Sequence, residues 1–280
     1  MASGKTSNGG AGAHAGGGTQ SLTLGDGARI AYRWDGPEEA PVLVLSNSLG
    51  TSMGMWDPQV ERFSRAFRVL RYDTRGHGQS SAPPGSYSID RLGRDVLELL
   101  DGLGIDKVHF CGLSLGGMIG QWLAVRAPGR LERLVLANTA AYMGPPEGWQ
   151  TRIETVLRDG MESVAAASIS RWFTPGFPER QPKAVAAIRQ MLLTTSRGGY
   201  AGCCAAIRDM DQRPTTQLIH TPTLLVVGLQ DPSTPPKDAS LLAGPMTRPP
   251  ERVDLQSLRE IKRIKARVEN ERLPQGADRA

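Results

Sequence analysis

The sequence predicts an α/β fold in which helices cover both faces of a mostly parallel sheet. Short apolar runs alternate with helical patterns along most of the 280 residues. The runs at 41–45 and 108–111 lack polar alternation, as is typical of strands that are buried on both faces. A Gly-x-Ser-x-Gly stretch then joins the second run to a helical pattern, which is typical of a sharp strand-to-helix turn. These three observations predict a single α/β core.

The N-terminal part divides into a tail and a hairpin. Residues 1–20 are mostly Gly, Ala and Ser, and this composition predicts a disordered tail because it offers little surface to bury. Residues 21–24 and 29–32 flank Gly25-Asp26-Gly27, whose composition suits a tight turn, and this pattern predicts a β-hairpin.

The core is predicted in two parts, at 21–140 and 214–246, with an insertion between them. Residues 141–213 carry short helical patterns, no convincing strand and several aromatic side chains, so we predict a helical lid over the carboxyl ends of the strands. We predict buried strands at 41–45, 69–72, 108–111, 134–136 and 223–227, and helices at 59–67, at 89–103 and directly after residue 114.

Composition narrows the classes of function. Of the formal net charge of +5, the last 33 residues carry +3, from nine Lys/Arg against six Asp/Glu, so the nearly neutral body has no nucleic-acid-binding character. Three cysteines form neither a disulfide framework nor a spaced metal set. No apolar run approaches the roughly 20 residues of a membrane span, and no signal core is present. We therefore expect a cytoplasmic protein that acts on a small molecule without a membrane, nucleic acid or metal; the oligomeric state stays open.

The Gly-x-Ser-x-Gly stretch makes Ser114 the candidate nucleophile. A strand that turns abruptly into a helix exposes the central serine, and the flanking Gly112 and Gly116 avoid collisions with neighbouring backbone. The alternative is a helix N-cap serine in a glycine-rich turn.

Two further groups belong to such a site. Asp231 follows the strand at 223–227 and is the candidate acid; the alternative is a turn-forming Asp before proline. Asn138 lies at the end of the preceding strand, so that position offers no second carboxylate that could act as the catalytic acid. Topology predicts that the N–H groups of Leu49 and Leu115 act as oxyanion donors; the alternative at the first position is an ordinary loop.

A base for the serine is the difficulty. The chain has four histidines, and none follows Asp231, where this chain order requires one. His109 lies inside a strand and is expected to pack there, while His220 precedes a strand at the wrong end of the sheet. His77 lies at the right edge, in a loop that normally fixes structure, and is kept as an alternative base.

Several motifs resemble the 3-oxoadipate enol-lactonases, an α/β-hydrolase family, over about residues 21–242. They are Leu45-Ser46-Asn47-Ser48-Leu49-Gly50-Thr51, Met55-Trp56-Asp57-Pro58-Gln59, Arg71-Tyr72-Asp73-Thr74-Arg75-Gly76-His77-Gly78, Gly112-Leu113-Ser114-Leu115-Gly116-Gly117, Arg171-Trp172-Phe173-Thr174 and Gly202-Cys203-Cys204-Ala205-Ala206-Ile207-Arg208-Asp209. The resemblance implies cofactor-free hydrolysis of an enol-lactone to 3-oxoadipate, a step of the β-ketoadipate pathway of aromatic breakdown. It places Trp172 in the substrate pocket, with Arg171 or Arg208 for the substrate carboxylate.

The resemblance stops near Ala243, before the family's last strand and histidine. We expect both to be missing and residues 247–280 to form an unrelated, charged helical tail, foreign or out of frame, with its N-cap at Asp254. Residues 261–277 resemble a short piece of glutamine synthetase adenylyltransferases, without a nucleotidyl-transfer site. The alternative is a genuine variant that docks this helix where the strand belongs. We therefore expect an impaired hydrolase, with a general carboxylesterase and a non-catalytic binding protein as rivals.

Overall fold

The computed structural model of the chain describes residues 18–244 and 246 and the backbone of 251–255. Of the predicted N-terminal tail, residues 1–17 lie outside the described residues, and the first strand begins at Gln20. Within the described ranges, no helix combines the length and the apolar character that crossing a membrane requires.

The strands form one mostly parallel sheet, as predicted. They are β1 (Gln20–Thr23), β2 (Arg29–Asp35), β3 (Val42–Ser46), β4 (Arg68–Tyr72), β5 (Val108–Leu113), β6 (Leu131–Ala137), β7 (Thr223–Gly228) and β8 (Glu251–Leu255). Their order across the sheet is β1-β2-β4-β3-β5-β6-β7-β8. The predicted hairpin, β1 with β2, is antiparallel and joins β4 in antiparallel register. All pairs from β4 through β8 are parallel.

Helices belong either to the core or to the insertion. The core helices are α1 (Asp57–Phe63), α2 (Ile89–Gly102), α3 (Leu115–Arg126) and α9 (Pro236–Ala243). The predicted lid is helical and consists of α4 (Pro146–Asp159), α5 (Glu162–Trp172), α6 (Phe177–Arg180), α7 (Pro182–Thr194) and α8 (Arg197–Arg208). An antiparallel β-bridge between Tyr142 and Asp211 joins the two ends of this insertion.

Both faces of the sheet are buried, which explains the unbroken apolar runs in the sequence. On β3, Leu43 and Leu45 belong to one apolar cluster, whereas Val44 between them belongs to the other. Successive side chains of a strand point to opposite faces, so a strand between two apolar layers has no position for a polar residue.

The strand β8 corrects the prediction that the last strand is missing. Residues 251–255 pair in parallel with β7, with Val253 opposite Val226, so a helix does not begin at Asp254. The physical reason is that β7 would otherwise end the sheet with a row of unpaired N–H and C=O groups, which a following segment of chain can satisfy. The apolar stripe of the predicted tail helix and residues 261–277 lie outside the described residues.

A buried ion pair fixes the loop after β4. Arg75 donates to both carboxylate oxygens of Asp95 at 2.7 and 2.6 Å, and the two residues are 3% and 2% exposed. Arg75 also contacts Asp26 at 2.7 Å. The loop is thereby tied to α2 and to the hairpin turn.

We expect Arg75→Met to lower the free energy of unfolding by about 3–5 kcal/mol, because it leaves a buried carboxylate without its main cation. Arg94→Met is the matched control, since Arg94 makes an exposed pair with Asp90 at 2.8 Å and such pairs contribute less than about 1 kcal/mol. Urea unfolding measures both. Equal losses of unfolding free energy in the two variants would show that burial of the Arg75–Asp95 pair does not contribute to stability.

Candidate active site

Ser114 lies in a strained turn between β5 and α3. Its φ is 54° and its ψ is −113°, which is a costly conformation for a residue with a side chain. The Ser114 N–H donates to the Ala137 carbonyl at 2.9 Å, and the Ser114 carbonyl accepts from Thr139 Oγ1 at 2.8 Å. Backbone on both sides of the serine is therefore held by the end of β6, and the half-buried side chain sits at the carboxyl edge of the sheet.

The two motif glycines permit this turn sterically. A Cβ at Gly112 would collide with the carbonyl of Gly116, and a Cβ at Gly116 would collide with the carbonyl of Ser46. In both cases the obstacle is backbone, which cannot rotate away. Strand, turn and helix are thus packed too closely for any side chain at these positions.

The loop that carries Leu49 packs against the first turn of α3, which carries Leu115. The Gly116 N–H donates to the Asn47 carbonyl at 3.0 Å and so joins the loop after β3 to the first turn of α3. Leu115, the first residue of α3, and Leu49 of that loop are both buried. Neither N–H donates to an acceptor within the part of the chain that the structure describes. The arrangement is compatible with both groups binding an oxyanion beside Ser114.

Asp231 lies at the same edge, directly after β7. Its N–H donates to the carbonyl of Gly228, the last residue of β7, at 3.1 Å. Oδ1 accepts the N–H groups of Ser233 and Thr234 at 2.8 and 3.1 Å, and Oδ2 accepts Thr234 Oγ1 at 2.8 Å. Oδ2 also accepts the amide of Asn138. These bonds fix the orientation of the carboxylate.

Asn138 and Thr139 link the acid to the serine, and sequence reasoning missed both. The sequence suggested only that Asn138 offers no second carboxylate. In the structure Asn138 has a φ of 42° and donates a hydrogen bond to Asp231. The next residue, Thr139, donates a hydrogen bond to the Ser114 carbonyl. Side-chain amides tolerate left-handed backbone better than most residues. No pattern in the sequence reveals that position 138 needs this conformation.

His77 has no nitrogen available to serve as a base. The Gly50 N–H donates to His77 Nε2 at 2.9 Å, so Nε2 is the acceptor and Nδ1 carries the proton. Nδ1 lies 3.2 Å from the Arg75 carbonyl, to which it donates. The side chain is 1% exposed, and burial lowers its pKa to about 4. His77 therefore stays neutral and holds the loop that carries Leu49.

The other described histidines lie away from the serine, as expected from their places in the sequence. His109, within β5, packs edge-to-face on Phe67 with ring centroids 5.3 Å apart. His220 is exposed before β7. Positions 256–280, which follow β8, contain no histidine.

The lid reaches the site through aromatic side chains next to Gly50. A Cβ built at Gly50 would lie 3.2 Å from Tyr200 Cε2 and 3.6 Å from Trp172 Cη2. Trp172 ends α5 and is half-buried, whereas Tyr200 on α8 is 1% exposed. Backbone of α8 also touches the loop after β4, because a Cβ at Gly76 would lie 2.5 Å from the Cα of Gly199.

The two candidate lid arginines have different surroundings. Arg208 is bonded to the carboxylate of Asp209 at 2.7 and 2.8 Å and to the side chain of Gln150, so its guanidinium is already engaged. Among the residues that the structure describes, the Arg171 guanidinium makes one long hydrogen bond, from Nη2 to Ser168 Oγ at 3.4 Å. Burial lowers the pKa of the Arg171 guanidinium, and the nearby charge of Arg152 lowers it further.

These features define a class of enzymes, the hydrolases with an α/β fold. The profile described as "alpha/beta hydrolase fold" matches residues 41–250, and the chain belongs to this family.

Within this family, the chain is similar to proteins named as enol-lactonases. The chain is 45% identical to "3-oxoadipate enol-lactonase 2" of Acinetobacter baylyi, over 79% of this chain and 83% of that protein. Among solved structures, the enol-lactonase from Burkholderia xenovorans LB400 superposes with a TM-score of 0.83 at 42% identity, covering 90% of this chain and 97% of that chain. A hydrolase from Pseudomonas aeruginosa PA01 gives a TM-score of 0.84 at 47% identity, with coverages of 89% and 95%.

We expect Gly116→Ala to lower the free energy of unfolding by about 1–3 kcal/mol or more, because its Cβ would overlap the Ser46 carbonyl. The matched control is Gly148→Ala in α4, where a Cβ meets nothing within 4 Å; this change should stabilise by up to about 1 kcal/mol. Thermal unfolding compares them. A neutral Gly116→Ala would mean that the turn is not tightly packed.

We expect His77→Gln to flatten the acid dependence of stability. The folded pKa of about 4 lies below the unfolded value of 6.5, so only the unfolded chain binds the proton between them, and this stability is present above pH 6.5 and lost as the pH falls towards 4. The difference amounts to about 3 kcal/mol. Urea unfolding across this range should show a shallower loss in His77→Gln, whereas the exposed-site control His220→Gln should follow the wild type. Parallel curves for all three proteins would refute a buried neutral His77.

Proposed function

We propose that this chain is, by descent, a serine hydrolase of the kind that opens 3-oxoadipate enol-lactone to 3-oxoadipate in the β-ketoadipate pathway, and that the absence of the catalytic histidine impairs this activity. The observation that carries the proposal is the 45% identity to a named enol-lactonase together with the strained Ser114 turn. The proposed reaction uses no cofactor, because acyl transfer through a serine relies on a base, an acid and backbone donors of the protein itself.

The proposed reaction begins at Ser114. Its hydroxyl attacks the lactone carbonyl, and the N–H groups of Leu49 and Leu115 stabilise the negative oxygen that forms. Ring opening breaks the bond between the acyl carbon and the enol oxygen, which takes up the proton that the serine hydroxyl loses. An acyl-enzyme remains, and the enol relaxes to a ketone. Water then releases 3-oxoadipate. Trp172 walls the pocket beside Gly50; the alternative is that it serves only lid packing.

Asp231 orients the base in this scheme, and the base is what the chain lacks at the expected place. The bonds of His77 to Gly50 and Arg75 argue against His77 as a substitute. Oxyanion donors and binding alone leave about 10³–10⁴-fold acceleration over water when a triad member is lost. We therefore propose that the chain as given is a strongly impaired lactonase.

Arg171 is our candidate for the substrate carboxylate. The guanidinium of Arg208 is bonded to Asp209 and Gln150, whereas that of Arg171 makes a long contact with the Ser168 hydroxyl and no ion pair within the described ranges. Arg171 also neighbours Trp172, whose ring approaches Gly50.

We expect enol-lactone opening to be far slower than by the Acinetobacter baylyi relative measured side by side, and to rise when imidazole is added as an exogenous base. Ser114→Ala should remove the imidazole-dependent part, because imidazole would act through the serine. Absorbance of the lactone follows the reaction. Rates equal to those of the relative without imidazole would contradict the impairment, and equal imidazole effects in Ser114→Ala would contradict the role of Ser114.

The same assay separates the rivals. A general carboxylesterase would turn over aryl acetates faster than the enol-lactone under identical imidazole concentrations. A non-catalytic binding protein would gain thermal stability from the lactone but show no Ser114-dependent turnover. The proposed lactonase would turn over the enol-lactone faster than aryl acetates, and this turnover would depend on Ser114.

A further inference from the structure

The side chain of Asn47 joins the start of the oxyanion loop to two other parts of the core. The oxyanion loop is residues 47–51, which follow β3 directly. Asn47 is 0% exposed, and its Nδ2 donates to the carbonyl of Tyr72, the last residue of β4, at 2.7 Å. Its Oδ1 accepts the indole N–H of Trp56, directly before α1, at 2.9 Å. Both ends of the side-chain amide are therefore engaged.

The main chain of Asn47 holds a third element. Its carbonyl accepts the Gly116 N–H at 3.0 Å, in the first turn of α3. A substitution without the amide would take a buried partner from the Tyr72 carbonyl and from the Trp56 indole. Buried polar groups that lose a partner are costly. The start of the oxyanion loop is thus fixed by one residue that lies two positions before Leu49.

The hydrogen bonds of the oxyanion loop leave one of its donors for a ligand. Ser48, Gly50 and Thr51 each donate their N–H to an acceptor of the chain, at 3.5, 2.9 and 3.2 Å, the first acceptor being the sulfur of Met55. Among residues 48–51 as the structure describes them, the Leu49 N–H alone has no such acceptor. This pattern singles out the same donor that the topology predicts.

The direction of the Leu49 N–H depends on how the two ends of the loop are held. Asn47 fixes the start, and the bond from Gly50 to His77 fixes the end. A donor stabilises an oxyanion only when it lies about 2.7–3.1 Å from the oxygen, so a small rotation of one peptide removes its effect. Release of either end would therefore change the reaction without a change in any group that meets the substrate.

We propose that Asn47 is a positioning residue, whose side-chain amide keeps the Leu49 N–H directed at the oxygen that becomes negative when Ser114 attacks. The inference rests on the proposed function for the roles of Ser114 and Leu49. A purely structural Asn47 would contribute to stability but leave the reactivity of the folded protein unchanged.

Modification of Ser114 by a small alkyl fluorophosphonate in the full chain tests this role, because negative charge develops on the phosphoryl oxygen. Imidazole is added as the base: the serine oxygen bonds to phosphorus, fluoride leaves, and imidazole takes the serine proton. Intact-protein mass spectrometry gives the rate, from which the rate of Ser114→Ala is subtracted. We expect Asn47→Leu to lower the rate about 10-fold or more, since loss of one oxyanion donor costs about 10²–10³-fold.

Asn47→Asp separates positioning from packing. This variant keeps the size of the side chain and the acceptor for Trp56, but an ionised carboxylate has no donor for the Tyr72 carbonyl. Burial raises the pKa of a carboxyl group, and the protonated form can donate again. The rate of Asn47→Asp, divided by that of the parent at the same pH, should therefore rise as the pH falls from about 8 to about 6. The same ratio for Asn47→Leu should stay constant.

Thr223→Val is the structural control. Thr223 is 9% exposed, and its Oγ1 donates to the Thr221 carbonyl at 2.8 Å. It begins β7 and so lies at the opposite edge of the sheet from Ser114. The variant loses a buried hydrogen bond, yet its rate should stay within about twofold of the parent because distant sites act independently. Urea unfolding identifies conditions in which the variants are folded.

Three results would overturn the positioning role. They are a parent-like rate in Asn47→Leu, equal reductions in Asn47→Leu and Thr223→Val, and an Asn47→Asp ratio that does not change with pH. The last of these decides the question even where Asn47→Leu fails to fold.

Failure of this inference and failure of the proposed function give different results. Modification of Ser114 that depends on Asn47, without lactone opening, leaves the positioning role standing and removes the lactonase reaction. Ser114-dependent lactone opening with a parent-like rate in Asn47→Leu does the reverse.

Discussion

The close approach of Gly116 to the carbonyl of Ser46 is the constraint on which the site depends. It lets the loop after β3 lie against the first turn of α3, where the Gly116 N–H can reach the Asn47 carbonyl. Ser114 is forced into positive φ by the same turn. The energy of that strained residue is offset by hydrogen bonds of its own backbone with Ala137, Thr139 and Met118, so the strain is localised at one reactive position.

A second line of contacts secures the oxyanion loop from the other side. Asp95 on α2 binds Arg75, the Arg75 carbonyl accepts from His77, and His77 accepts the N–H of Gly50. Each member is buried, so each bond is worth more than it would be at the surface. A histidine at the edge of a candidate active site thus has a positional role, and its neutrality is a requirement of that role.

Much of the core could be predicted from the sequence, because unbroken apolar runs and a glycine-flanked serine are properties of short segments. The hairpin, the buried strands and the helical insertion depend on such segments. The last strand could not be predicted from the sequence, because residues 251–255 are mostly polar and precede a helical pattern. Pairing with β7 outweighs the local preference for a helix there. Asp231 could be placed because it follows a strand that the sequence reveals. Its partner Asn138 could not, because its role depends on a backbone conformation that leaves no pattern in the sequence.

The contact between Gly76 and Gly199 has a consequence for how a ligand enters. Backbone touches backbone there, at the start of α8, and Cys203 further along the same helix contacts the Arg75 carbonyl at 3.6 Å. Close-packed contacts of this kind resist gradual separation. The helix α8 is therefore fixed to the loop after β4, and any opening of the insertion towards a ligand would have to occur in its other helices.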